Sequence, residues 1–109
     1  LASGEMQNLF DWKRVEQELQ FDWKLSSLAE LACMSEEHLR RLCLKEYGRT
    51  PMEQVTYLRI QRARFLLDST NEKLEALANE VGYHSAIVFS RAFFRCVGVL
   101  PSVYRKQKS

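Results

Sequence analysis

From Leu25 onward, apolar residues recur every three or four positions in short runs, each bounded by Ser, Thr, Gly or Pro. That spacing predicts short amphipathic helices rather than strands. Upstream, Leu9, Trp12, Val15 and Leu19 share it and predict a first helix from about Met6 to Leu19. A second opens at Leu25. Ser35 opens a third over Glu36 to Tyr47, which Gly48 closes as a left-handed stop. Thr50-Pro51-Met52-Glu53 forms a capping box with Pro at the first helical position and starts a long helix to about Leu67, ended by Asp68-Ser69-Thr70-Asn71. Leu74 to Val81 is a short helix, Gly82-Tyr83-His84 a turn, Ser85 to Val97 another helix stopped by Gly98, and Pro101 begins the last. Seven helices and no strand make an all-α domain.

The second half of the chain repeats the first. Leu28-Ala29, Ala32 and Ser35 align with Leu77-Ala78, Val81 and His84 at an offset of 49, and one extra residue then moves the offset to 50. At that offset Leu39 meets Phe89, Arg41 meets Arg91, Lys45 meets Arg95, Gly48 meets Gly98 and Pro51 meets Pro101. Each copy is a short helix, a tight turn and a second helix, the layout of a helix-turn-helix. In the second helices, Leu39, Leu42, Cys43 and Tyr47, or Phe89, Ala92, Phe93 and Val97, form one apolar stripe to bury. The opposite faces carry Glu37, Arg40, Arg41 and Leu44 in the first copy, and Ile87, Ser90, Arg91 and Phe94 in the second. Ala29 and Ala78 are small where the paired helices should cross. The tetrapeptide Phe10-Asp11-Trp12-Lys13, echoed at Phe21-Asp22-Trp23-Lys24, is too short to define a further repeat.

Charge adds a polarity that the net value of +2 conceals. Residues 38–66 and 84–109 together carry +10, leaving −8 on the remainder, and this segregation favours a face turned toward a polyanion. The hydrophobic share of 46% and length of 109 residues suit one soluble module, with no apolar run long enough to span a bilayer. Cys33, Cys43 and Cys96 are odd in number and lack metal-ligand spacing, so they read as buried thiols of a reducing cytoplasm. His38 and His84 are the only histidines, and no converging catalytic set or glycine-rich phosphate loop accompanies them. The chain is therefore expected not to be an enzyme and to need neither cofactor nor metal. The segment Leu1-Ala2-Ser3-Gly4, without an initiator Met, reads as a cut or processed end.

Leu28-Ala29, Ser35, Leu39-Arg40-Arg41, Leu58-Arg59, Ala63 and Leu66-Leu67 closely resemble the AraC/XylS family of bacterial transcription regulators. Leu77-Ala78, Val81-Gly82-Tyr83, Phe89-Ser90-Arg91, Phe93, Gly98 and Pro101-x-x-Tyr104-Arg105 complete the resemblance, which covers Leu25 to Arg105. It implies two homeodomain-like helix-turn-helix subdomains joined by a long central helix, each setting its second helix in the DNA major groove. The expected division is an N-terminal segment over 1–24, a first helix-turn-helix over 25–49, a linker helix over 50–70, and a second helix-turn-helix with the last helix over 71–109. Five positions depart from the family pattern. Cys33 replaces a turn Gly, at a cost of ~1 kcal/mol if its φ is positive. Cys43 replaces a core Phe, Leu44 and Phe94 replace lysines that reach phosphate, and Leu100 replaces a capping Thr.

A central helix of about 17 residues spans roughly 25 Å, against ~34 Å between successive major-groove faces. One chain is then expected to hold both reading helices, about 36–47 and 85–97, in successive grooves on a non-palindromic site. Arg40 and Arg41 are candidates for guanine, Glu37 for a cytosine amino group, Ile87 for a thymine methyl, and Ser90 and Arg91 for polar base contacts. Ser35, Lys45, Arg59, His84, Arg95 and Arg105 are candidates for phosphate, while Arg62 and Arg64 lie on a helix that also has a solvated side. The second reading helix, with Ala86, Ile87 and Val88 at its start, is expected to specify less. The rival reading is a helical protein-interaction module using Leu44, Ile87 and Phe94. The resemblance further implies contact with RNA polymerase on activation, an attached sensor or dimerisation domain, and a place on the cytoplasmic nucleoid.

Overall fold

Asp11 sets the start of the first helix in this computed structural model, which describes residues 10–108. Its Oδ1 accepts the Lys13 N–H at 3.0 Å, so helix α1 covers Trp12–Gln17. The expected start at Met6, the position of Leu9 and the terminal Leu1 to Gly4 lie outside the described residues. The expected end at Leu19 is corrected: Glu18 leaves helical geometry at φ −134°, and the Trp23 indole N–H bonds its carbonyl at 2.8 Å. Helices α2 (Leu25–Ala32), α3 (Glu36–Tyr47), α4 (Pro51–Ser69), α5 (Leu74–Glu80), α6 (Ala86–Val97) and α7 (Pro101–Lys108) follow, and no strand occurs among the described residues. Chain contacts divide into two units: the described residues up to Glu18 with Trp23–Val55, and Leu19–Asp22 with the described residues from Thr56. Helix α4 runs through the division.

The local chemistry explains the boundaries. The Thr50–Glu53 capping box forms in both directions, with Thr50 N–H on the Glu53 carboxylate at 2.9 Å and Glu53 N–H on Thr50 Oγ1 at 3.2 Å. At the other end α4 extends two residues beyond Leu67: the Thr70 N–H closes the last turn on the Leu66 carbonyl at 2.9 Å, and the Ser69 and Thr70 hydroxyls add second donors to the Phe65 and Leu66 carbonyls. Helices α2 and α3 pack together in the first unit, α5 and α6 in the second, and Ala29 and Ala78 are buried in the respective pairs.

The second unit has a contiguous core in which Ile60, Ala63, Leu66 and Leu67 of α4 meet Leu77, Ala78 and Val81, Phe89 and Phe93 of α6, and Tyr104 of α7. Its rings form a chain: Tyr83 to Phe89 and Phe89 to Phe93, each at 5.7 Å between centroids, then Phe93 to Tyr104 edge-on at 5.4 Å. The first unit has Cys43 where this chain has Phe93. Phe10, Trp12 and Tyr47 gather there instead, with Phe10 edge-on to Trp12 at 4.5 Å and Trp12 edge-on to Tyr47 at 6.3 Å. Together with Leu39 they line a residual cavity of only ≈ 10 Å³ beside Cys43. The missing aromatic ring is thus replaced from the α1 segment. Cys43 is the one cysteine that is buried; Cys33 and Cys96 are exposed, which corrects the expectation of three buried thiols.

The two turns solve one geometric problem unequally. Cys33 takes φ +56°, the one positive φ among the described non-glycine residues, and its counterpart Gly82 takes φ +108°. A Cβ at position 82 would collide with the Leu19 carbonyl oxygen and the Arg59 guanidinium, so Gly is required there for space as well as conformation. Cys33→Gly is expected to stabilise the chain by ~1 kcal/mol, read as a rise of about 4–8 °C in thermal midpoint. An unchanged midpoint would show that the turn carries no strain. Gly82→Ala is expected to lower the midpoint by more than that.

Burial pushes the Cys43 thiol from 9.0 up to about 11, against the pull of Arg49. Between these values the unfolded chain has lost the thiol proton while the folded chain keeps it, so stability falls as pH rises through that interval. The expected loss is on the order of 2 kcal/mol in urea unfolding from pH 9 to 11, and this part should vanish in Cys43→Ala.

Candidate nucleic-acid interface

Each helix-turn-helix presents its second helix by the same device. Ser35 ends the turn in extended geometry and its Oγ accepts the His38 N–H at 3.1 Å, which starts α3. Ser85 does the same for α6, accepting the Val88 N–H at 3.2 Å. This corrects the repeat alignment, since Ser85, and not His84, is the counterpart of Ser35, and α6 begins at Ala86. The signal was present in the sequence: the offset of 50 that pairs Leu39 with Phe89 also pairs Ser35 with Ser85. His84 remains exposed in the turn just ahead. A serine oxygen that accepts from the helix keeps its own O–H for an outside acceptor such as a phosphate.

With Leu39 and Cys43 buried, α3 exposes Glu37, Arg40, Arg41, Leu44 and Lys45. Glu37 and Arg40 are joined by an ion pair of 2.6 Å on the exposed face of the helix. Arg41 and Lys45, one turn apart, are exposed beside them. With Phe89, Ala92 and Phe93 buried, α6 exposes Ile87, Arg91, Phe94 and Arg95, and half-buries Ser90. Helix α3 carries Glu36 and Glu37 in its first turn, whereas α6 has no acid there. The positive end of the α6 dipole is left uncompensated, which favours an anion.

Two of the expected phosphate ligands are engaged elsewhere. Arg59 is partly buried and donates to the Leu19 carbonyl at 3.2 and 3.0 Å and to the Phe21 carbonyl at 2.9 Å. Its guanidinium also lies over the Tyr83 ring at 5.8 Å. Burial holds its pKa below the ordinary value, opposed by Tyr83 and Asp22. Arg105 donates to the Glu72 carbonyl at 2.7 Å and to the Leu67 carbonyl at 3.5 Å, tying α7 to the end of α4 and the start of α5. Both arginines serve backbone that no helix satisfies. Arg64 reaches the Tyr104 hydroxyl at 3.4 Å, and Arg62 lies over the exposed Phe65 ring at 5.1 Å.

The geometry has relatives. A family model described as a helix-turn-helix domain matches residues 28–107. A putative AraC-like transcription regulator of Streptomyces lividans is 36% identical over 84 residues, which are 77% of this chain and 28% of that protein. The chain belongs to the AraC-type helix-turn-helix family. Within this family, an uncharacterized HTH-type transcriptional regulator of Haemophilus influenzae is 39% identical over 93 residues, 85% of this chain and 31% of its own length. The chain thus spans about a third of the length of these curated relatives. Among solved structures, the C-terminal domain of AraT, a response regulator from Geobacillus stearothermophilus, matches with TM-score 0.81 at 31% identity, covering 87% of this chain and 79% of that one. The DNA-binding domain of AdpA, solved in complex with a target DNA, matches in fold with TM-score 0.82 at 23% identity, covering 87% and 86%.

The AraC-type fold leaves Arg59 a structural duty that can be tested. Arg59→Ala should strip three hydrogen bonds from the Leu19 and Phe21 carbonyls and lower stability by about 2–3 kcal/mol in urea unfolding. A loss below ~0.5 kcal/mol would return Arg59 to the solvated cations.

Proposed function

We propose that this chain is the DNA-reading module of a bacterial transcription regulator, binding double-stranded DNA sequence-specifically with α3 and α6 in successive major grooves. The observation that carries this reading is the repeated presentation. Each second helix buries one stripe, is capped by a serine, and turns outward a face bearing Arg41 and Lys45, or Arg91 and Arg95. The likeness in fold to the AdpA domain, which binds a target DNA, supports it. Arg41 is the principal base reader of the first unit, because a free guanidinium donates twice to guanine. The Glu37–Arg40 pair reads as a unit, Glu37 fixing the direction of the Arg40 fork. Arg91 and Ser90 give polar base contacts in the second unit, and Ser35, Ser85, His84, Lys45 and Arg95 serve phosphates.

The action is binding, without catalysis, and its place is the cytoplasmic nucleoid. Because the curated relatives are about three times as long, the whole protein is proposed to join this module to a sensor or dimerisation domain, and to contact RNA polymerase when it activates. No single helix among the described residues is long and apolar enough to cross a membrane.

Fluorescence anisotropy on a duplex selected from random DNA tests the assignments. Arg41→Ala should cost ~1 to 3 kcal/mol on that duplex and little on random DNA, while Lys45→Ala should weaken both alike and reduce the salt slope by about 1. Equal losses on both duplexes for Arg41→Ala would remove it from the base readers. A footprint with one protected major-groove segment at saturation would overturn the two-groove arrangement.

A further inference from the structure

We infer that the second unit selects its half-site chiefly by thymine methyl groups, through an apolar face centred on Ile87 with Phe94 and Leu100 beside it. The inference rests on the DNA-reading function proposed above and specifies what the second helix reads. Ile87 is 67% exposed, Phe94 53% and Leu100 46%, and the three line one shallow open concavity together with Ser90, Arg91 and Arg95. Ile87 and Phe94 are seven residues apart, hence on one ridge of α6, and Ile87 lies in its first turn. That is the end of a recognition helix that meets base edges.

The chemistry of the surface chooses among occupants. The rim is cationic, with Arg91 and Arg95 on α6, and no acidic residue follows Glu80 in the chain. The lining itself holds two cations and no acid, which favours a polyanion. Three apolar side chains cover far less than the roughly 800 Å² per partner of a stable protein interface. In the major groove, thymine alone among the four bases offers a methyl group. An apolar side chain against guanine, cytosine or adenine would dry a donor or acceptor and leave it unpaired, which penalises those bases. The first unit places charged Glu37 where Ile87 stands and Leu44 where Phe94 stands, so its corresponding ridge is mixed. The two units then differ in emphasis: the first reads hydrogen-bonding edges, and the second reads chiefly methyls, with Ser90 and Arg91 adding polar contacts.

The test uses the 109-residue chain and a duplex selected from random DNA, alongside copies in which single thymines are replaced by deoxyuridine, which lacks only the methyl. Wild-type affinity should fall about fourfold for each methyl that the apolar face buries. Ile87→Ala, at an exposed site that leaves folding intact, should bind the thymine and uracil forms of that position equally well. Phe94→Ser should shrink the same difference. Equal wild-type affinity for every thymine and uracil pair, or an undiminished uracil penalty in Ile87→Ala, would overturn the inference while leaving DNA reading in place. Absence of salt-dependent binding to any duplex would overturn both. Sedimentation of the free protein as a dimer that Phe94→Ser dissolves would give the face to a second copy and likewise overturn it.

Discussion

The burial of one stripe on each second helix is the constraint on which the rest depends. A helix with 3.6 residues per turn that sinks Leu39 and Cys43, or Phe89 and Phe93, cannot choose which residues face outward. Helix α3 must show Glu37, Arg41 and Lys45, and α6 must show Ile87, Arg91 and Arg95. The serine caps then fix where each helix begins, and so which of these side chains falls in the first turn. The composition of each exposed face is a by-product of core packing. A substitution that rotated the stripe by one residue would change every exposed contact at once.

The two units meet this constraint with different materials. The second is self-sufficient: Tyr83, Phe89, Phe93 and Tyr104 pass contacts ring to ring from the turn to α7. Gly82 lets the chain turn where Leu19 and Arg59 leave no room for a side chain. The first lacks both parts, with Cys43 in place of a ring and Cys33 in left-handed geometry. It recovers packing by drawing Phe10 and Trp12 against Tyr47 near Cys43, which gives the short α1 segment a structural purpose. A thiol in the core nevertheless fills less volume than a phenyl ring and makes fewer dispersion contacts, and a strained turn adds to that deficit.

Periodicity, caps and the internal repeat made most of the fold legible, because each has a local physical cause that a sequence displays directly. The Thr50–Glu53 box forms as the pattern predicts, and so do the stripes on α3 and α6 except at Tyr47, which stays 41% exposed at the end of α3 where the pattern predicts burial. The misread parts depend on distant neighbours. The start of α1 is set by the Asp11 cap and its end by the geometry of Glu18, neither of which apolar spacing reports. The duties of Arg59 and Arg105 follow from carbonyls roughly forty residues away, and a guanidinium bound to buried backbone is written with the same letter as one facing a phosphate. The Ser85 cap is legible only at the offset of 50, since the extra residue in the second turn hides which position carries it.

Backbone carbonyls also occupy part of the basic charge. The two basic stretches owe part of their excess to Arg59 and Arg105, and to Arg49, which donates to the buried Gln54 side-chain oxygen at 3.0 Å. Arginine suits such places because its five donors cover several carbonyls at once and it stays charged when partly dried. What remains on the two second helices, apart from Arg40 with its Glu37 partner, is smaller and more localised: Arg41 and Lys45 on α3, and Arg91 and Arg95 on α6. Those four stand on two ridges, each at a register fixed by the core beneath it. A uniformly basic surface attracts DNA without reading it, whereas a few cations held at set positions around an acid–arginine pair or an apolar face bind less strongly overall and discriminate more between sequences.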